Sequence, residues 1–208
     1  MTLHNWWLFF AAVFLLCGTP GPNMLHVMTR SVHFGFRRSI AAMAGCLSAM
    51  MIVLAASAAG LTALLLAFPV LFDILRYLGV AYLVYLGIKA WRENDAPIDI
   101  GTDTLGPTLS PAQLFRGGLF IGLSNPKLLL FASAFLPQFI DRAAPEAPQF
   151  AILVVTFLTT EMFWYGVYAL GGRRIAPLLA RPGLNRAFNR LTAIIFMGFG
   201  FALLRARP

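Results

Sequence analysis

The sequence predicts an all-α, polytopic membrane protein of six transmembrane helices, arranged as two three-helix inverted repeats with broken first helices. Three observations predict it. Of 208 residues, 59 % are hydrophobic and only 12 % charged, a balance outside that of soluble domains. The apolar runs are long enough to cross hydrocarbon of about 30 Å, which takes about 20 helical residues. Finally, the first span of each half is interrupted by proline.

Residues 1–29 carry no lysine, arginine or acid. A secretory signal would show a basic leader and a shorter apolar core, so this stretch reads as a retained span at 6–28. The uncharged run 39–72 is too long for one crossing, and Phe68-Pro69 breaks it, because proline restricts the residue before it and lacks a backbone donor. Span 2 is therefore placed at 40–67 and span 3 at 71–90. A polar loop at 93–112 follows, with Glu93, Asp95, Asp99 and Asp103 among prolines and glycines. It divides a single membrane domain, 1–208, into halves 1–92 and 113–208. The loop ends in Ser110-Pro111-Ala112-Gln113, a capping-box spacing with proline at the first helical position, which starts span 4 at 111–139. Pro145 and Pro148 mark the next turn. Span 5 fits 150–170, and span 6 fits 191–204 with some extension before it.

The net charge of +8 belongs to this topology. Eleven basic residues fall in the odd-numbered connections: Arg30, Arg37 and Arg38 in the first, Lys89, Arg92 and Arg116 in the third, Arg173, Arg174, Arg181, Arg186 and Arg190 in the fifth. Arg76, Arg142, Arg205 and Arg207 fall on the other side. The positive-inside rule then places the odd loops in the cytoplasm and both termini outside, whereas a five-span chain would bring the basic tail inside. This distribution gives no continuous basic face, so nucleic acid is not an expected partner; membrane lipid is.

Three spans per half means that the second half enters the membrane inverted, an arrangement common among secondary transporters. The breaks fall at Thr19-Pro20-Gly21-Pro22-Asn23 and Ser124-Asn125-Pro126-Lys127. Opened helix ends inside a membrane offer N–H groups to a carboxylate and carbonyls to an ammonium, so a zwitterion suits such a site; the alternative is a pair of packing kinks.

The run Gly18-Thr19-Pro20-Gly21-Pro22-Asn23-Met24, followed by Gly35-Phe36-Arg37-Arg38, resembles the amino-acid exporter family (LysE/RhtB type) typified by the lysine exporter and the homoserine/threonine efflux proteins. Residues 79–87, Phe115-Arg116-Gly117-Gly118, Asn125-Pro126-Lys127 and Phe135-Leu136-Pro137-Gln138-Phe139 are similar to it too. The resemblance is detailed over roughly the first 140 residues. It implies efflux of a small amino-acid-like substrate, driven by protons, at the cell (inner) membrane of a bacterium. It also implies that Pro20, Gly21, Pro22, Asn23, Asn125, Pro126 and Lys127 are the substrate-binding positions.

Two charges lie at membrane depth, where a central lysine costs about 2.5–3.5 kcal/mol to insert. Lys127 either faces a wet cavity and attracts a substrate carboxylate, or snorkels from a span that begins later. Glu161 is central in span 5, with Trp164, Tyr165 and Tyr168 on its face. Glu161 and Tyr165 are candidates for proton coupling or cavity lining, the alternative being a structural glutamate paired with Lys127. Asp73 and Arg76 read as a local ion pair.

His4, His26 and His33 read as solvated or interface residues. Cys17 and Cys46 lie in apolar runs and read as packing residues, so neither metal nor cofactor is expected. Ala41, Gly45 and Ala49, with Gly118 and Gly122, form small-residue faces for close helix packing, within the monomer or in a homo-oligomer. No phosphate-cradling loop for ATP, no His-Glu-x-x-His pair and no nucleophile elbow is present, which leaves a transporter ahead of a non-transporting scaffold or an intramembrane enzyme.

Overall fold

The computed structural model describes residues 1–67, 77, 80, 81, 84, 85, 87, 88, 91, 92, 109–141, 143–179 and 182–205. Regular structure among them is entirely helical: α1 (Leu3–Gly18), α2 (Pro22–Phe34), α3 (Phe36–Ala67), α4 (Pro111–Leu123), α5 (Pro126–Leu130), a π-helical turn (Phe131–Phe135), a 3-10 turn (Leu136–Phe139), α6 (Glu146–Leu179) and α7 (Pro182–Arg205). The expected break at Phe68-Pro69, most of span 3, the Asp73–Arg76 pair and nearly all of the polar loop lie outside the described residues.

α1 stops at Thr19, one residue before Pro20, and α2 resumes with Pro22 in its first turn, the two axes meeting at 50°. Proline tolerates that first turn because the N–H it lacks has no helical acceptor there. α2 and α3 are joined through Gly35, whose φ of 81° is unfavourable for other residues. The anticipated capping box is formed: the Ser110 hydroxyl accepts from Gln113 N (3.2 Å), and the Gln113 side chain accepts from Ser110 N (2.8 Å). α4 therefore begins where the sequence placed span 4, and it breaks at Ser124 and Asn125.

α3 carries 24 residues (Phe36–Ala59) and α6 carries 27 (Glu146–Gly172) that are apolar and long enough to cross a membrane, and the bent α1–α2 pair adds a third crossing if counted as one span. Two expectations are corrected. α6 extends to Leu179 and α7 begins at Pro182, so Arg173, Arg174, Arg186 and Arg190 sit on helices instead of in a loop. Hydropathy marks only the stretch suited to lipid, while arginine propagates a helix well beyond it. His26, read as solvated or interfacial, is buried at 7 % exposure.

Contacts along the helices fix their relative directions. Trp6 donates its indole N–H to Thr156 Oγ1 (3.1 Å), Tyr168 donates to the Gly18 carbonyl (2.9 Å) and Ser31 donates to the Ala169 carbonyl (2.6 Å), so α1–α2 runs parallel to α6. α3 and α4 are also parallel and backbone-close: a Cβ on Gly45 would strike the backbone of Phe115 and Leu119, and one on Gly118 the backbone of Ala42 and Cys46. The small-residue faces thus pack within the monomer. The two broken segments run antiparallel, with Phe9 against Phe139 (ring centroids 5.2 Å apart), Leu16 against Lys127, and His26 facing Gly117. Their breaks are opposed at the centre, where Phe9, Phe131, Phe135 and Phe157 are part of a buried core.

Candidate functional site

A helix that ends inside apolar surroundings leaves its last four carbonyls in need of donors. The Leu15, Leu16 and Gly18 carbonyls of α1 receive donors from three sources. Its own cap residue supplies two bonds, Thr19 Oγ1 to the Leu15 carbonyl (2.9 Å) and Thr19 N to the Leu16 carbonyl (3.2 Å). α6 supplies the Tyr168 hydroxyl to Gly18. The opposite break supplies Lys127, whose ammonium donates to the carbonyls of Leu16 (3.0 Å) and Thr19 (3.3 Å).

Lys127 is aimed there by local structure. The Asn125 side chain caps α5 by accepting from Lys127 N (3.0 Å), which fixes the first turn and projects the lysine towards α1. Gly21 leaves room for it, since a Cβ there would stand 3.3 Å from Nζ. Thr19, Asn23, Asn125 and Glu161 are all buried around this point. Asn23 donates through Nδ2 to the Tyr165 hydroxyl (3.1 Å), while its Oδ1 is buried without a hydrogen-bond partner. The Cys17 thiol and the Tyr165 hydroxyl both lie within interaction range of the Glu161 carboxyl group.

These side chains enclose a cavity of about 10 Å³ lined by Cys17, Asn23, Asn125, Lys127 and Glu161, with Leu16, Leu128 and Phe157 as its apolar wall. That is space for about one water molecule. One cation, one carboxyl group and an asparagine with an unpartnered amide oxygen thus line one small cavity where two helices break. Such a set can bind a small ligand carrying both charges. No group of three or more metal-binding side chains occurs among the described residues.

Residues 13–207 match the LysE type translocator family. The chain belongs to this family. Its members are transporters, and the protein is a transporter and not an enzyme. It is 34 % identical over 207 residues to the homoserine/homoserine lactone efflux protein of Salmonella typhimurium, covering 100 % of this chain and 99 % of the relative. It is 31 % identical over 202 residues to the leucine efflux protein of Salmonella choleraesuis, covering 96 % and 94 %. An uncharacterized membrane protein of Vibrio cholerae is 31 % identical over 209 residues, at full coverage of both chains. No solved structure matches the chain.

Within this LysE-family fold, the positions singled out from sequence separate into groups. Asn23, Asn125, Lys127 and Glu161 line the compartment, and Tyr165 joins it through Asn23. Pro20, Gly21 and Pro22 form the α1–α2 junction without lining the cavity, and Pro22 is exposed. Pro126 occupies the first helical position of α5. Sequence reasoning missed Cys17, read only as a packing residue, and the Leu16 and Thr19 carbonyls. Cys17 does lie one turn ahead of Gly21, which was the available signal; the carbonyls belong to the backbone and have none.

Proposed function

We propose that the protein is a secondary active exporter of amino acids or small amino-acid derivatives, driven by the proton gradient. The substrate binds between the opposed breaks, and Glu161, with Tyr165 beside it, carries the coupling proton. One observation carries this reading: Lys127, Glu161 and Asn23, whose Oδ1 has no hydrogen-bond partner, line one small cavity between two interrupted helices. The relatives' names agree with it. Homoserine, homoserine lactone and leucine share an α-ammonium, whereas the lactone has no free carboxylate, so the ammonium is the group that a common site must recognise.

The proposed topology is six spans as two inverted repeats in the bacterial inner membrane, with the N-terminus outside and the odd loops in the cytoplasm. The antiparallel course of α1–α2 and α4–α5 supports the inversion, as these open the two halves. The parallel packing of α3 and α4 supports one return crossing between them. The Arg190 guanidinium lies 5.6 Å from the centre of the Trp91 ring, which supports placing the third and fifth connections at the same face.

The test is purified protein in liposomes with an imposed pH gradient. Movement of labelled leucine or homoserine that stops when an ionophore collapses the gradient is the expected result. Movement that ignores the gradient overturns proton coupling, and no movement of either compound overturns the export reading.

A further inference from the structure

We propose that the carbonyl end of α1 is the ammonium subsite of the transporter, and that Lys127 is a tethered ammonium filling it whenever no substrate is bound. This rests on the export reading above and extends it from a place in the fold to a chemical rule for substrates.

Three observations carry it. The Lys127 ammonium makes two bonds to the carbonyls of Leu16 and Thr19, the contacts that the end of an interrupted membrane helix offers to a cation. The remaining cavity holds about one water, so no amino acid fits while the lysine is in place. Asn23 is buried at 4 % exposure and keeps Oδ1 unpartnered in the wall of that cavity, leaving one more acceptor for an ammonium.

Displacement of the lysine frees two carbonyls for the substrate's ammonium. The released Lys127 ammonium then meets Glu161 from α6, or the substrate carboxylate where there is one. Substrates with and without a carboxylate are thereby both accommodated, while a primary ammonium is required of each. The same residue lets the empty carrier close, because the α1 carbonyls stay bonded without substrate. A proton antiporter makes that transition once per cycle, without substrate and with the coupling proton bound.

The experiment uses wild-type protein and K127M in liposomes at equal pH on both faces, with the membrane potential clamped. In wild type, exchange of labelled leucine should be inhibited by leucine amide and not by N-acetylleucine. K127M should lower leucine exchange through the lost contact to the carboxylate, and its net efflux should fall by about tenfold more than exchange does, because exchange needs no empty carrier; that further loss is the scale of one or two lost hydrogen bonds. Methylammonium, supplied as an untethered ammonium, should restore that net efflux. Equal inhibition by the two analogues overturns the subsite, and this arm needs no variant. Equal loss of exchange and net efflux, or loss of neither, overturns the tethered-ammonium role. Wild-type liposomes that move neither leucine nor homoserine overturn the export reading itself, a failure distinct from wild-type transport with the wrong analogue pattern.

Discussion

Lys127 donates from its ammonium to the Leu16 carbonyl at 3.0 Å across 111 positions of sequence, so the end of one broken helix is completed by a side chain from the start of another. Pro20 and Pro22 release the carbonyls of Leu16 and Gly18, to which the opposed break supplies Lys127 and α6 supplies Tyr168, whereas the Gly122 carbonyl released by Pro126 accepts from Asn125 N (3.1 Å). On the proposed ammonium subsite, packing and function are coupled here: the bonds that complete the end of α1 are those that a substrate ammonium replaces.

Tyr168→Phe tests the share of that stability supplied by α6. The substitution removes the donor to the Gly18 carbonyl and keeps the ring, which sits beside Trp164 with centroids 6.4 Å apart. A buried carbonyl left without its donor costs about 1–3 kcal/mol. The thermal midpoint of the detergent-purified protein should fall by several degrees. An unchanged midpoint would show that the carbonyl has found another donor.

The α3–α4 contact gives a prediction with a built-in control. Gly118→Val places side-chain atoms where the Ala42 and Cys46 backbones already lie, and main chain has little capacity to give way. Overpacking of a well-filled contact costs about 1–3 kcal/mol, and more against backbone. Gly118→Val should reduce the yield of folded protein measured by fluorescence-detected size exclusion. Gly166→Ala and Gly198→Ala, where a Cβ meets nothing within 4 Å, should not.

How far the sequence disclosed this arrangement depended on the kind of signal. Proline and cap residues act locally, and both breaks and the Ser110–Gln113 capping box appear where the spacing puts them. Charge at membrane depth singled out Lys127 and Glu161 because insertion makes such residues costly. Helix ends beyond the hydrocarbon carry no such penalty, so α6 and α7 extend past the apolar limits into their arginines. The acceptors of Lys127 were illegible because they are main-chain oxygens, and which side chain reaches them depends on two helices distant in sequence.

Asn23 and Tyr165 form a side-chain cross-link between α2 and α6, Nδ2 to hydroxyl at 3.1 Å, in a site where both side chains are buried. Asn23→Ala and Tyr165→Phe should each destabilise the protein. The double variant should cost less than the sum of the two, by roughly 1 kcal/mol of coupling. Additive effects in chemical unfolding would show that the pair is adjacent without being bonded.

Glu161→Gln separates proton coupling from substrate recognition. The amide is nearly isosteric with the carboxyl group and can still hydrogen-bond its neighbours Cys17 and Tyr165, but it cannot bind and release a proton. If Glu161 carries the coupling proton, the variant should continue to exchange labelled leucine across liposomes and lose accumulation driven by a pH gradient. Rates in wild type should vary with pH in the coupled mode, and this dependence should flatten in the variant. A structural glutamate would give a different pattern, in which exchange and gradient-driven transport fall together and the thermal midpoint drops with them. Persistence of gradient-driven accumulation in folded Glu161→Gln would remove this residue from the coupling step and direct attention to Lys127 and Cys17, which line the cavity, and to Tyr165 beside Glu161.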